Sequence, residues 1–477
     1  MSAAACTPVP TPLSASDALS ALWQGAGLDR LAPAAPAQVH LPGREPQLRS
    51  SFPVTTALQA SVGAAALAAA EWGRRRGGPL QQVSVEPLDA VREASGLFRL
   101  DGRVPELWDP LSGLYRCGDG GWLRIHANFA HHRDGALRLL GLAPASERAA
   151  VAQALMRRAA TDVEQAAADA GLVVAAARRF DEWDAHPHAA VVAAQPLLDL
   201  RRQGDAAAPE PARWVEGDRP LAGVRVLDLT RILAGPVAAR TLAAHGAEVL
   251  MVNGPHLPNI GAIADLSRGK RSAQLDLRSG AGRDALRALV READVFLQGY
   301  RPGALARLGF GDDELQRLRP GLVCVSLSAY GELGPWGGRR GFDSLVQTAT
   351  GFNRAEAEAF GVDEPKALPL QVLDYSAGFL LAFGTVAALM RRAHEGGSWS
   401  LRVSLVRTAA WLRSLGRCSG FAEVARPELD SALQACDSGF ERLEGMPHAA
   451  RLSHTPPHWV LPSVPPGSHP AQWSARP

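Results

Sequence analysis

From Leu221 onward the chain alternates between two textures, and that alternation constrains its fold more than any other feature. VRVLDL (224–229), AEVLMV (247–252), SAQLDL (272–277), DVFLQGY (294–300) and LVCVSLSAY (322–330) are short apolar runs rich in β-branched residues. Between them lie the helix-compatible segments PVAARTLAAHG, AGRDALRALVREA and GDDELQRLRP. Strands separated by helices build parallel sheets covered on both faces, so an α/β fold with an open, Rossmann-like parallel sheet is predicted. Ligands of such sheets sit beyond the carboxyl ends of the strands. Arg231, Tyr300, Arg301 and Tyr330 all stand at those ends.

Four other regions flank this core. Residues 1–50 are Ala- and Pro-rich and read as weakly structured, and 51–205 mix helical patterns with strand-like runs such as GWLRIHANF (121–129), as in a smaller α+β domain. Residues 206–220 have the Pro, Ala and acidic content of an exposed linker, which leaves 221–415 as the sheet domain and 416–477 as a Pro-rich tail expected to be poorly ordered. An internal echo links the first two thirds to the last. AAALAAAEWGRRRGGPLQQVSVEPLDA (64–90) and GTVAALMRRAHEGGSWSLRVSLVRTAA (384–410) both read as Ala-rich helix, basic cluster, Gly-Gly turn and V-S-hydrophobic strand.

The second copy is preceded by LPLQVLDYSAGFLLAFGTVAAL (368–389), where Asp374 heads an apolar run with no further acid or base until Arg391. Asp is a good helix N-cap, which is the plain explanation. The alternative is a carboxylate held at the wall of a pocket by helix N-terminal amides. Counting back in the first copy, the matching position falls within PVTT (53–56), which holds no acid.

Charge and cysteines narrow the function classes. Fifty Lys+Arg against 48 Asp+Glu leave a net charge of +2, so no general nucleic-acid surface is expected. Cys6, Cys117, Cys324, Cys418 and Cys436 show no CxxC spacing and read as free thiols in a reducing compartment. The N-terminal segment lacks the n- and h-regions of a secretory signal, and the Ala-rich 57–70 stretch is too short to span a bilayer, so a cytoplasmic protein without membrane association is expected. No GxGxxG, P-loop, HExxH or GxSxG motif is present. His126, His131 and His132 have no thiol or acidic ligands at metal-binding spacing and read as surface histidines. Three basic, turn-like junctions remain: SRGKRS (267–272), GYRPGALARLGF (299–310) and GPWGGRRGFD (334–343). Each alone fits a solvated loop, whereas together at sheet ends they could gather around a polyanion.

These blocks, in order from PLAGVRVLDLTRILAGP to LQVLDYSAG, resemble the family III CoA-transferases, which include carnitine–CoA-transferase-like, formyl-CoA-transferase-like and α-methylacyl-CoA racemase enzymes. The segment 51–200 is similar to the later portion of the same family, displaced to the front. The resemblance implies a transferase that moves CoA from an acyl-CoA thioester to a carboxylic acid, with coenzyme A carried as substrate and no metal. Asp374 would be the nucleophile. Leu233, Ala234, Lys270, Arg271, Tyr300, Arg307 and Arg340 would bind the nucleotide and its phosphates, and the family's interlocked homodimers imply self-association. Phe342 stands where the racemase branch has the His of a GHD motif, so epimerisation lacks a proton carrier. An acyl-CoA racemase or isomerase, and a catalytically idle CoA-binding relative, are the alternatives. Asn253, Gly299 and the short loop before SRGKRS depart from the family pattern.

Overall fold

The computed structural model describes residues 11–475. Its centre is a seven-stranded sheet: β1 (Asp199–Gln203), β2 (Arg225–Leu229), β3 (Glu248–Asn253), β4 (Lys270–Gln274), β5 (Val295–Gln298), β6 (Val323–Ser328) and β7 (Ser398–Ser404). The spatial order is β4-β3-β2-β5-β6-β7-β1, parallel except for β1, which runs antiparallel to β7. Successive residues alternate between two cores. Val226, Val249, Val295 and Val323 pack toward three long helices, α1 (Val54–Arg75), α2 (Ala234–Ala244) and α4 (Val372–Glu395), the last of these preceded by the short α3 (Asp343–Ala349). Leu227, Leu250, Phe296 and Cys324 pack on the opposite face against the helices Gly280–Glu292 and Asp312–Leu318. Burial on both faces is why these strands read as continuous apolar runs. After β4 the chain crosses back to the other side of β2, so the topological switch point lies between β2 and β5.

A smaller α+β unit stands apart in its core. Its antiparallel strands Gly113–Arg116, Trp122–Ile125 and Val174–Ala176 pack with three helices around Tyr115, Leu123, Leu137, Leu155 and Val163.

The helix–strand echo is structural. Val83–Val85, the strand after α1, pairs parallel with Val39–His40 and antiparallel with Ala450–Leu452. In the same way β7 pairs parallel with β6 and antiparallel with β1. Each of these strands is completed by one from the other part of the chain.

Three expectations are corrected here. Residues 1–50 are not weakly structured over their described part: Ala15–Gly25 is a helix that buries Leu19, Leu22 and Trp23, with Trp23 stacked 6.0 Å from Phe383. Cys6 lies outside the described residues. The tail from 416 is packed, because its tryptophans anchor it: Trp459 Nε1 donates to Arg240 O (2.9 Å) and Trp473 Nε1 to Leu289 O (3.0 Å). The boundary at 205 does not separate independent domains, since β1 is hydrogen-bonded into the main sheet. The linker too is held, with Arg76 Nε donating to Ala212 O (2.7 Å) and its guanidinium 5.6 Å from the Trp214 ring.

Candidate functional site

A cavity of about 400 Å³ opens at the switch point. Its floor comes from the exits of β2 and β5, with Arg231, Ile232 and Gly299–Pro302. One wall is the loop after β6, with Arg339, Arg340, Gly341 and Phe342, and the small unit closes it with Phe129, His131 and His132. Four guanidinium groups, Arg231, Arg301, Arg339 and Arg340, share this lining with no Asp or Glu. Among the described residues none of the four lies within 4.0 Å of a carboxylate. Burial destabilises the protonated forms of Arg231, Arg339 and Arg340, and the charge of Arg301 adds to this at Arg340. Uncompensated positive charge in a partly dry cleft suits an anion. Ile232 has φ +80°, a strained conformation for a β-branched residue, at the turn that delivers Arg231.

Asp374 is not the cap of its helix. It is the third residue of α4, and Gln371 before the helix makes no side-chain cap bond. The first-turn amides are satisfied from outside: Asp343 Oδ2 accepts from the N–H groups of Leu373 (2.7 Å) and Asp374 (2.9 Å), and Gln347 donates to Asp343 Oδ1. The Asp374 carboxylate accepts no hydrogen bond from any described residue, and the residue is 8% exposed. Burial, and then the neighbouring charge of Asp343, pushes its pKa well above the ordinary carboxylate range. Asp343 rises to about 6, through burial opposed by its hydrogen bonds.

Asp374 does not line the cavity, but two features tie it to the wall. Phe342, which does line it, directly precedes the Asp343 that holds the Asp374 amide. One turn along α4, Gly378 presses so closely on the start of α2 that a Cβ would lie 2.6 Å from Ala234 O. Residues four apart share a helix face, so Asp374 is on the face turned to the Ile232–Leu233 corner.

The predicted nucleotide contacts divide. Tyr300 and Arg340 line the cavity, and burial raises the Tyr300 pKa while Arg231 opposes it. Leu233 and Ala234 form the turn into α2 behind Ile232 and do not line it, and Arg307 is exposed on the 3-10 turn Ala306–Leu308 beside it. Lys270 is corrected: it is 0% exposed, and its Nζ lies 3.0 Å from both Asp228 Oδ2 and Pro236 O. Asp228 Oδ1 in turn accepts from the Thr230 N–H (2.9 Å), so Lys270 fixes the turn before Arg231 instead of reaching a ligand. Arg271 is likewise occupied, donating to Gln472 O (2.9 Å) in the tail.

The histidines are corrected as well. His131 is exposed, but His126 and His132 are buried. The His126 ring stacks on Phe342 with centroids 4.0 Å apart, and His132 Nε2 lies 3.1 Å from Arg340 Nη1. Burial lowers their pKa values to about 4 and about 3, so both are neutral near pH 7. Arginine can only donate, so His132 Nε2 accepts and its proton is on Nδ1. Sequence reasoning missed this wall because the small unit's approach to the sheet is a long-range contact. The only local sign was the aromatic and histidine density of NFAHH directly after a strand.

The sequence model of CoA-transferase family III matches residues 21–214 and 221–432. Among similar proteins, an acetyl-coenzyme A transferase, nodX, of Hypoxylon pulicicidum is 38% identical over 204 residues, covering 42% of this chain and 34% of that protein. An acyl-CoA transferase of Gibberella moniliformis is 32% identical over 312 residues, covering 62% and 55%. The solved structure of Rv3272 from M. tuberculosis is 33% identical with a TM-score of 0.38, covering 41% of this chain and 58% of that one. The chain thus spans from about a third to just over half the length of these two transferases. Two matched stretches that together take in α1, α2, α4 and the whole arginine-ringed cavity place it: this chain belongs to CoA-transferase family III.

Proposed function

We propose that this protein moves CoA from an acyl-CoA donor to a carboxylic acid, with Asp374 as the covalent nucleophile. The observation that carries the reading is the cavity at the switch point, ringed by four arginines without carboxylate partners and backed by the Phe342–Asp343 step that holds the Asp374 amide. The arginines suit the phosphates of CoA, and Tyr300 and Phe342 offer apolar surface to its less polar parts.

A carboxylate oxygen of Asp374 attacks the thioester carbonyl carbon. The C–S bond breaks, its electron pair leaves with sulfur, and a mixed anhydride and CoA thiolate result. The thiolate then attacks the aspartyl carbonyl, expelling the donor acid as a carboxylate and leaving an aspartyl-CoA thioester. An acceptor carboxylate repeats the two steps in reverse, and Asp374 is regenerated. No proton or redox equivalent is consumed. Burial beside Asp343 makes the Asp374 carboxylate more basic than usual. Each attack moves its charge toward a sulfur or oxygen leaving group and relieves that unfavourable placement, an interaction gained along the reaction rather than in the resting state.

Epimerisation needs a second base at the Asp374 site, and Phe342 supplies none. The buried, unpaired thiols Cys117, Cys324 and Cys418 fit a reducing, cytoplasmic setting, and the family resemblance carries the further reading of a homodimer. The test is incubation with a panel of acyl-CoA donors and carboxylate acceptors in D2O, followed by chromatography and mass analysis of the CoA esters. New acceptor-CoA esters without deuterium at the donor α-carbon are expected. Deuterium uptake without transfer would make the protein an epimerase, and CoA binding with neither change would make it an idle binder.

A further inference from the structure

The loop between β6 and α3, Tyr330–Gly341, carries Arg339 and Arg340 to the cavity and hands the chain on to Phe342 and Asp343. Its sequence, YGELGPWGGRRG, has five glycines, few side chains with which to fix itself and a large conformational entropy to lose. Yet one imidazole from the other part of the chain fastens it at two points. His188, in the helix Pro187–Ala193, is 0% exposed. Its Nε2 lies 2.8 Å from Tyr330 O. A carbonyl only accepts, so the proton is on Nε2, and the Nδ1 lone pair is free to accept the Trp336 N–H at 3.4 Å. Gly334 (φ +80°) permits this approach, since a Cβ there would lie 2.9 Å from Nδ1.

Around this bolt the loop is gripped by the same part of the chain. Trp336 stacks on the His188 ring, with centroids 5.8 Å apart and planes at 28°. The guanidinium of Arg178, itself ion-paired to Glu164, lies 5.1 Å from the Trp336 ring. That of Arg339 lies 4.5 Å from the same ring, while its Nη2 donates to Gln165 Oε1 at 2.9 Å. An apolar side chain at 188 would fill the space but leave a buried carbonyl and a buried N–H without partners.

We propose that His188 is a positioning residue for the anion site: by holding Tyr330 O and the Trp336 N–H together it sets the loop that presents Arg339 and Arg340 to the phosphates of CoA. It touches no ligand itself. The inference rests on the reading of the cavity as the CoA site, and the two can fail separately. Titration calorimetry of CoA into the full chain would compare wild type, His188→Gln, which keeps a donor at the Nε2 position, and His188→Phe, which keeps the volume only. Misplacement of charged donors predicts that His188→Phe weakens CoA binding about tenfold or more, while His188→Gln stays within about threefold of wild type. Hydrogen exchange of the Gly337–Gly341 amides, read without ligand, should accelerate in His188→Phe and return toward wild type in His188→Gln.

Equal CoA affinity in all three proteins, or equal loss in both variants, would overturn the proposal, as would unchanged exchange in His188→Phe. If wild type itself fails to bind CoA, the parent reading falls. The exchange measurement then still decides whether His188 fixes the loop. Melting temperatures of both variants establish that they are folded.

Discussion

The heads of α1 and α4 share one backbone design, and at the third helical position only α4 carries a carboxylate. Both helices are long and almost wholly buried, and the residues before them, Pro53 and Gln371, share one backbone conformation, φ −78° with ψ 65° and 58°. Neither helix is capped by its own sequence. At α4 the first-turn amides are held by Asp343. At α1 they are held by Glu45, whose Oε1 accepts from the Thr56 N–H at 2.6 Å, with Thr55 contributing. The third helical residue is Asp374 in one and Thr56 in the other. Capping needs no carboxylate at this position, because a distant carboxylate does it in both copies. Asp374 is therefore surplus to the fold, and burial beside a second acid makes it costly. The surroundings diverge accordingly. A seven-stranded sheet and an arginine-lined cavity stand near α4, whereas α1 has a three-stranded sheet and a pocket of about 220 Å³ whose lining cations are limited to Arg44.

The two helix heads should separate most sharply in their effect on the rate. Asp374→Asn should lower CoA transfer by at least about four orders of magnitude, since it removes the attacking oxygen anion. Thr56→Asp, which rebuilds a carboxylate at the twin position, should restore nothing in that background. Steady-state transfer assays check both. A smaller effect lies in binding. Arg340→Ala should weaken CoA about ten- to a hundredfold, as expected for a lost charge-assisted contact. Arg44→Ala, beside Thr56, should leave affinity unchanged in the same calorimetric titration.

A stability difference comes next. A carboxylate whose folded-state pKa is raised binds its proton more tightly folded than unfolded, so stability falls as pH rises through the interval between the two values. For Asp343 that interval runs from about 4 to about 6, and Asp374 extends it upward. Asp374→Asn deletes one of the two charges. It should therefore be more stable than wild type at pH 7.5, with the gap closing toward pH 4. Urea unfolding across pH 4–7.5 reads this directly. The smallest effect belongs to α1: Thr56→Ser should lose about 1 kcal/mol for one buried methyl, with no pH dependence.

Some of this was legible in the sequence and some was not, for identifiable reasons. The strands of the sheet and the α4 helix were readable because two-sided burial writes continuous apolar runs. Even so, β4 begins at Lys270, two residues before its apolar stretch. Lys270 was misread for the same reason. A basic residue at a strand end looks like a phosphate contact until its inward direction is known, and here it points into the core at Asp228. The tail was misjudged because proline content hid two anchoring tryptophans. Asp374 was found by its position, but the cap it resembled is made by Asp343, thirty-one residues earlier. A long-range hydrogen bond of that kind leaves no periodic trace, and neither does the docking of His126 and His132 against the arginine loop.

Trapping the acylated enzyme decides whether Asp374 is the nucleophile. The protein is incubated with an acyl-CoA donor, quenched with hydroxylamine or borohydride, digested and mapped by peptide mass spectrometry. A hydroxamate, or its reduced counterpart, is expected on Asp374 and on no residue of the 54–75 helix, and is expected to be absent from Asp374→Asn. Transfer proceeding at full rate with Asp374 unmodified would contradict it.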